Sequence, residues 1–426
     1  MRVGARSETQ GAGAKIGAQR RSAFAFWTVT ATIGVVLAAN STPTPLYVDY
    51  QQRWGFTSTT LTAIFATYSG GILVTLLLAG GLSDRIGRRP VLLVGLAVLI
   101  ASYAVFLFAD GVVWLYFARA LQGLATGLFT GAAGAALVDL HPRSDHRTAG
   151  LVNSTSMPTG LAVGATLCGA LAEWGPMPLR TPYLVIAALS LVLLAAIALY
   201  VPETVPDPSR GWGSLIYLQR LGVPVEIRGQ FIIACLGVTA AWSVGGLYLG
   251  LGGSLAKELL QGNNHFITGL VILSMQGVAG LAQLMWNLRW SSVSNTVASV
   301  AGCAALLMGM PVVALSLLVG SPAVFFVGAV VTGVGFGLAF MGSTRRVTQM
   351  APAARRGGTL AAYFVVAYLA FSIPVVAAGF LTTRIGLSRT FYLFAAVIAV
   401  VSAITMVRTL ATRGLGDQRR GRPDPT

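Results

Sequence analysis

Charged side chains punctuate this chain between long apolar runs. Charge-free stretches cover 22–48, 54–83 and 90–109, and a fourth, 111–138, is interrupted only by Arg119. Two more, 148–172 and 181–202, complete the first half. After a charged, proline-marked stretch the runs resume over 229–256, 259–288, 290–344, 357–383 and 390–407. A helix needs roughly 20 mostly apolar residues to cross the hydrocarbon core of a bilayer. The run 290–344 is too long for one such helix, and Gly320-Ser321-Pro322 breaks it near its middle. The pattern predicts an all-α membrane protein with twelve transmembrane helices, six before residue 203 and six after residue 228.

The residues between the runs set an orientation. With the N-terminus inside, the inner segments carry 23 Arg and Lys residues, and the outer segments carry only Arg53, Arg180, Lys257, Arg384 and Arg389. Inner loops of membrane proteins are the basic ones, so both termini are expected in the cytoplasm and the chain in the inner (plasma) membrane. The composition agrees: 55% of residues are hydrophobic and 10% charged, against roughly a quarter charged in an average soluble domain. The net charge of +16 thereby becomes a topological signal, and nucleic acid is not an expected partner. Cys168, Cys235 and Cys303 lie far apart in apolar stretches, a pattern that implies neither a disulfide framework nor a metal site. The expected organisation is a disordered tail (1–20), a six-helix bundle (21–202), a cytoplasmic linker (203–228) entered through Pro202, Pro206 and Pro208, a second bundle (229–411) and a disordered tail (412–426).

A weak repeat supports the division. An offset of 210 residues superposes Gly123 on Gly333, Gly127 on Gly337, Leu128 on Leu338, Pro142 on Pro352 and Gly169 on Gly379. Internal repeats of this kind mark many transporter folds. Glycine is also what closely packed membrane helices use.

Between spans 2 and 3 runs Gly80-Gly81-Leu82-Ser83-Asp84-Arg85-Ile86-Gly87-Arg88-Arg89-Pro90. It resembles the signature loop of the major facilitator superfamily, matching the glycine, aspartate and basic positions at Gly80, Asp84, Arg85, Gly87, Arg88 and Arg89. The resemblance implies two pseudo-symmetric six-helix bundles working by alternating access. It also implies that Asp84 faces the N-terminus of span 11, near Gly357, and latches the cytoplasmic side. The corresponding loop of the second half, Asn287-Leu288-Arg289-Trp290, lacks the pattern. Pro-Glu-Thr at 202–204 is similar to the segment that follows span 6 in many members.

Arg119 is the only charge well inside a span, and intramembrane ionisable residues usually serve function. With Gln122 and Gly123 it is similar to the span-4 motif that the family associates with proton coupling. The alternative is a structural anchor snorkelling outward. No Asp or Glu lies mid-span, so Asp49, Asp139 and Glu173, all at span ends, are the carboxylate candidates for coupling. Span 5 carries Gly160, Gly164 and Gly169, which resembles an antiporter-associated pattern, although Ala165 and Cys168 depart from it. Small residues at that spacing also serve close helix packing.

In the family fold, spans 1, 4, 7 and 10 line a central cavity. Candidates there are Asn40, Ser41 and Thr42 ahead of Pro43 and Pro45, with Gln122, Thr126, Trp242, Ser243, Tyr248 and Phe336. A proline break frees backbone carbonyls near these polar side chains, and the mixture suits an amphipathic, partly aromatic ligand. The aromatics could equally belong to lipid-facing packing or an interfacial belt. His141-Pro142-Arg143-Ser144-Asp145 has a spacing used by some acyltransferases, but it has no visible partners, and no phosphate-binding loop suggests an ATP-driven pump.

The expected function is secondary transport: export of a small amphipathic or hydrophobic compound in exchange for protons, by a monomer without an organic or metal cofactor that draws on the proton gradient. The alternatives are a facilitator or proton symporter importing a sugar-like or organic metabolite and, more remotely, a membrane-bound acyltransferase.

Overall fold

The computed structural model describes residues 4–140, 146–205, 221–260 and 264–420. The first half contains α1 (Gly4–Ser41), α2 (Tyr47–Trp54), α3 (Ser58–Ala79), α4 (Leu82–Ile86), α5 (Arg88–Leu107), α6 (Val112–Leu140), α7 (His146–Trp174) and α8 (Thr181–Tyr200). The second contains α9 (Arg228–Leu260), α10 (His265–Ile272), α11 (Val278–Arg289), α12 (Asn295–Val319), α13 (Pro322–Met350), α14 (Arg356–Ile385) and α15 (Leu387–Arg420). One π-helical turn, Leu273–Gly277, joins α10 to α11. Among the described residues eleven helical segments are long and apolar enough to cross a membrane, and α7 occupies the remaining predicted run.

The predicted break inside 290–344 falls where the chain chemistry puts it. Gly320 takes φ 62°, a left-handed conformation natural to glycine, and its N–H returns to the Ser316 carbonyl to end α12. Ser321 then caps α13, with Pro322 at its first turn.

Both tails differ from expectation. Residues 4–20 continue α1 and residues 412–420 continue α15, because extending an existing helix fixes one residue per new hydrogen bond and avoids the cost of a new nucleus. The His141–Asp145 motif and residues 206–220 of the linker lie outside the described residues.

The repeated glycines make equivalent contacts in the two halves. A Cβ on Gly123 or Gly127 would strike Tyr68 or Thr75 of α3. On Gly333 or Gly337 it would strike Met275 in the π-turn or Ala279 of α11. The last pair crosses between the halves: Gly169 of α7 meets the backbone of His265 and Phe266 on α10, and Gly379 of α14 meets Ser58 and Thr62 on α3. Gly160 and Gly164 seat α7 on Leu37 and Ala38 of α1.

Candidate functional site

The molecule has two ends: the linker end, where Val205 leaves the first half and Leu221 leads into the second, and the far end opposite. A cavity lies between the halves and runs toward the linker end. Ile33, Leu37 and Asn40 of α1, Thr126, Phe129 and Ala133 of α6, Trp242 and Leu249 of α9, and Phe340, Thr344 and Arg345 of α13 line it. Phe65 and Tyr68 of α3 and Phe364, Tyr368 and Phe371 of α14 complete the wall. On each helix the lining positions recur three, four or seven residues apart, the spacing of one helical face. Phe65 meets Phe371 with ring centroids 5.0 Å apart, and Trp242 packs edge-to-face on Phe340, Tyr368 and Phe371 at 4.9–5.7 Å. Arg345 carries the only formal charge among these lining residues, and its guanidinium donates to Asn287 Oδ1.

Of the cavity candidates, Asn40, Thr126 and Trp242 face the cavity. Ser41 and Thr42 turn their hydroxyls back to the Ala38 carbonyl, 3.0 Å in each case, the local bond that competes for short polar side chains in helices. Ser243 donates to the Ala370 carbonyl at 3.0 Å, tying α9 to α14. Tyr248 stacks on Phe325 inside the second half, and Phe336 packs against Gly245 and Phe340. None of these five lines the cavity. Phe65, Phe129, Phe340, Tyr368, Phe371 and Arg345 are lining residues that sequence reasoning missed. Their helical spacing from Asn40, Thr126 and Trp242, or from one another, is the signal that marks them.

Arg119 is fully buried and points inward, away from the snorkelling alternative. Pro43 has no N–H to offer the Ala39 carbonyl, which takes the Thr42 N–H at 3.3 Å and keeps a lone pair for a side-chain donor. Gln122 Nε2 donates to the Ala39 carbonyl at 2.8 Å, and Arg119 Nη1 donates to the Asn40 carbonyl at 2.8 Å and to Gln122 Oε1 at 2.5 Å. Arg119 Nε donates to the Tyr47 hydroxyl at 2.5 Å, and the guanidinium lies 5.4–5.8 Å from the rings of Tyr47, Phe65 and Tyr68. Carbonyl dipoles and aromatic faces thus surround the charge. Thr126 closes the network on Asn40 Oδ1 at 2.9 Å.

At the linker end the Gly80–Pro90 loop forms a second cluster. Gly87, at φ 106° and ψ 150°, leads into α5, whose first amides are taken by a carboxylate from elsewhere in the chain. Glu203 accepts from the backbone N–H groups of Arg88 and Arg89 at 2.9 and 3.1 Å, and from those of Thr204 and Val205 at 2.9 and 3.0 Å. Arg88 donates to Asp139 Oδ2 at 2.5 Å and to Asp84 Oδ1 at 2.8 Å, and Arg89 donates to the Ala198 carbonyl. Asp84 is two-thirds exposed and bonded within its own loop, so the contact expected between Asp84 and the start of α14 is not formed in this conformation. Asp139 belongs to the same structural network. Glu203, which the sequence offered only as part of Pro-Glu-Thr, is its hub.

A third cluster lies at the far end. His265 Nε2 is 2.6 Å from Asp49 Oδ2, and Nδ1 is 3.0 Å from Glu173 Oε2. Asn264 Nδ2 and the His265 backbone N–H also donate to Glu173, at 3.2 and 3.0 Å. Two carboxylates of the first half thereby meet one histidine of the second. The charge count passed over His265. On a separate seam between the halves, that of α3 and α14, Thr59 bonds Thr383 and the Gly379 carbonyl, at 3.1 and 3.4 Å.

Among the described residues, eleven helices long and apolar enough to cross a membrane, in two related halves around an aromatic cavity, define a multi-pass membrane protein. The chain belongs to the Major Facilitator Superfamily, whose model matches residues 22–287. It is similar to the multidrug transporter MdfA of Escherichia coli O157:H7, 30% identical over 194 residues, 44% of each chain. It is also similar to multidrug resistance protein D of Escherichia coli K12, 32% identical over 161 residues, 37% of this chain and 39% of that one. These matches span less than half the length of the relatives. The fold is that of the nucleoside transporter NupG, with TM-score 0.72 and 10% identity over 90% of this chain and 99% of that one. A bacterial homologue of the lysosomal transporter Spinster, solved inward-facing and unoccupied, gives TM-score 0.73 and 12% identity over 91% and 97%.

Proposed function

We propose that this protein exports small aromatic compounds, neutral or carrying one negative charge, across the plasma membrane in exchange for protons, by alternating access of the cavity. The observation that carries this reading is the cavity wall: eight aromatic side chains from both halves, no carboxylate, and Arg345 at the linker side. Aromatic faces bind planar apolar bodies, and a guanidinium without a lining carboxylate favours an anionic head group over a cationic one. The basic bias of the linker-side segments supports a cytoplasmic linker end and cytoplasmic termini. The cavity then opens inward, where an exporter collects its substrate.

The test is uptake into inside-out vesicles with an imposed inward-acid gradient. Fluorescent aromatic weak acids and neutral aromatics are expected to accumulate, with loss on collapse of the gradient, and a quaternary aromatic cation to be excluded. Arg345→Gln is expected to weaken the preference for the acids. Gradient-independent accumulation, or equal uptake of the cation, overturns the proposal.

A further inference from the structure

We propose that Asp49, Glu173 and His265 form a proton-binding site straddling the two halves, and that its protonated form holds the far mouth closed. The proposal rests on the transport reading in one respect, that the far mouth opens during the cycle.

A neutral imidazole has one N–H and can donate to one carboxylate only, whereas an imidazolium donates from both nitrogens. Here both nitrogens stand within hydrogen-bond distance of a carboxylate oxygen. The arrangement is therefore satisfied by one added proton and half-broken without it. Glu173 cannot turn away, because Asn264 and the backbone N–H of His265 also hold it. Asn264 is itself fixed as the cap of α10, accepting from Ile267 N–H at 2.9 Å. Asp49 reaches α10 through the imidazole, so loss of the proton leaves one of the two carboxylates facing a ring lone pair. The link between the halves weakens at the seam where Gly169 of α7 meets the backbone of His265 and Phe266 on α10.

The neighbouring groups leave His265 as the one that changes charge. Arg53 of α2 and Arg180 of the α7–α8 connection share a surface groove with Asp49. Tyr50 of α2 and the buried Cys168 of α7 lie near Asp49 and ordinarily titrate above the physiological range. Lys257 and Glu258 of α9 line a separate groove beside Gln51 and Gln52, and Glu258 accepts from Ser388. Between about pH 5 and 8 the imidazole alone switches. Its side chain is 14% exposed, enough for exchange with the medium.

The test uses the full chain in nanodiscs, without substrate and with equal pH on both sides. Spin labels at Gln52→Cys and Arg389→Cys, with the native cysteines replaced by serine, report the closed and open far mouth as distance populations. The closed-to-open ratio is expected to fall as pH rises from 5.5 to 8.5, by up to about tenfold per pH unit, the limit for one linked proton. His265→Gln is expected to give a ratio independent of pH. Asp49→Asn keeps the imidazole and one carboxylate, and is expected to open the mouth at acidic pH with a shallower slope. A pH-invariant wild-type ratio, or a His265→Gln or Asp49→Asn protein that tracks the wild type, overturns the proposal. Because no substrate or gradient is present, failure of the export assay leaves this result intact, and gradient-driven export beside a pH-invariant mouth overturns the latch alone.

Discussion

The substitution Gly379→Ala should open the far mouth. A Cβ at this position of α14 would stand 2.7 Å from the Ser58 carbonyl oxygen on α3, and it would also collide with the Thr62 side chain. The Ser58 oxygen is backbone and cannot rotate away, so reaching ordinary contact at 3.4 Å requires α14 to withdraw by about 0.7 Å. Overpacking of this kind costs about 1–3 kcal/mol. The cost falls on the arrangement that holds α14 against α3; if the open arrangement releases that contact, the closed-to-open ratio should drop by about 5- to 150-fold. The same spin-label pair reads the change at fixed pH. Gly169→Ala, the repeat-related position, should act in the same direction, since its Cβ would meet the backbone of His265 and Phe266. Gly131→Ala, with nothing within 4 Å, should leave the populations unchanged. A monodisperse Gly379→Ala protein with wild-type distances would refute the claim that this contact closes the mouth.

Three other perturbations address the remaining clusters. Glu203→Ala removes the acceptor for four backbone N–H groups and the negative charge at the start of α5; a loss of about 2 kcal/mol is expected, seen as a lower melting temperature in detergent, and an unchanged melt would contradict the capping role. Arg119→Met strands the Tyr47 hydroxyl, the Asn40 carbonyl and Gln122 Oε1 but also removes a fully buried charge. These opposing costs, each of several kcal/mol, should nearly cancel in the melt while export falls at least about tenfold, so a transport-competent Arg119→Met protein would reduce the network to packing. Asp84→Asn breaks one ion pair on a two-thirds exposed carboxylate, so stability should move by less than about 1 kcal/mol while the export rate falls. A wild-type rate would remove Asp84 from the cycle.

The elements were legible because each is announced by its own residues. Eleven of the twelve apolar runs gave helices long and apolar enough to span and the twelfth lies in α7, Gly320-Ser321-Pro322 ended one helix and began the next, and Pro43 did open the end of α1 to polar partners. The inward faces were not legible to the same degree. A helix that is apolar all round does not declare which side meets its partner, so Ser243, Tyr248 and Phe336 looked as eligible as Trp242, and the α3 and α14 aromatics went unnoticed. His265 escaped for a different reason. It is uncharged in a formal count, and its partners lie 92 and 216 positions away along the chain, a pairing that only the association of the two halves creates.

The two halves share packing but not chemistry, and this asymmetry bears on mechanism. Gly123 and Gly333, Gly127 and Gly337, and Gly169 and Gly379 perform matching steric tasks. Close helix approach depends on the absence of a Cβ, which either half can keep independently. The ionisable groups do not repeat: Arg119 has Ala329 at its counterpart position, and the Asp84 loop has lost its pattern in the second half. Buried charge in a membrane protein is expensive and persists where it does something. In the proposed alternating-access cycle, symmetric packing would let the halves rock against one another about equivalent contacts. Any bias between the two arrangements must then come from groups that occur on one side only. The far-end cluster fits that requirement, with both carboxylates on the first half and the titrating ring on the second, so that each proton gained or lost acts on the contact between the halves and on neither half alone.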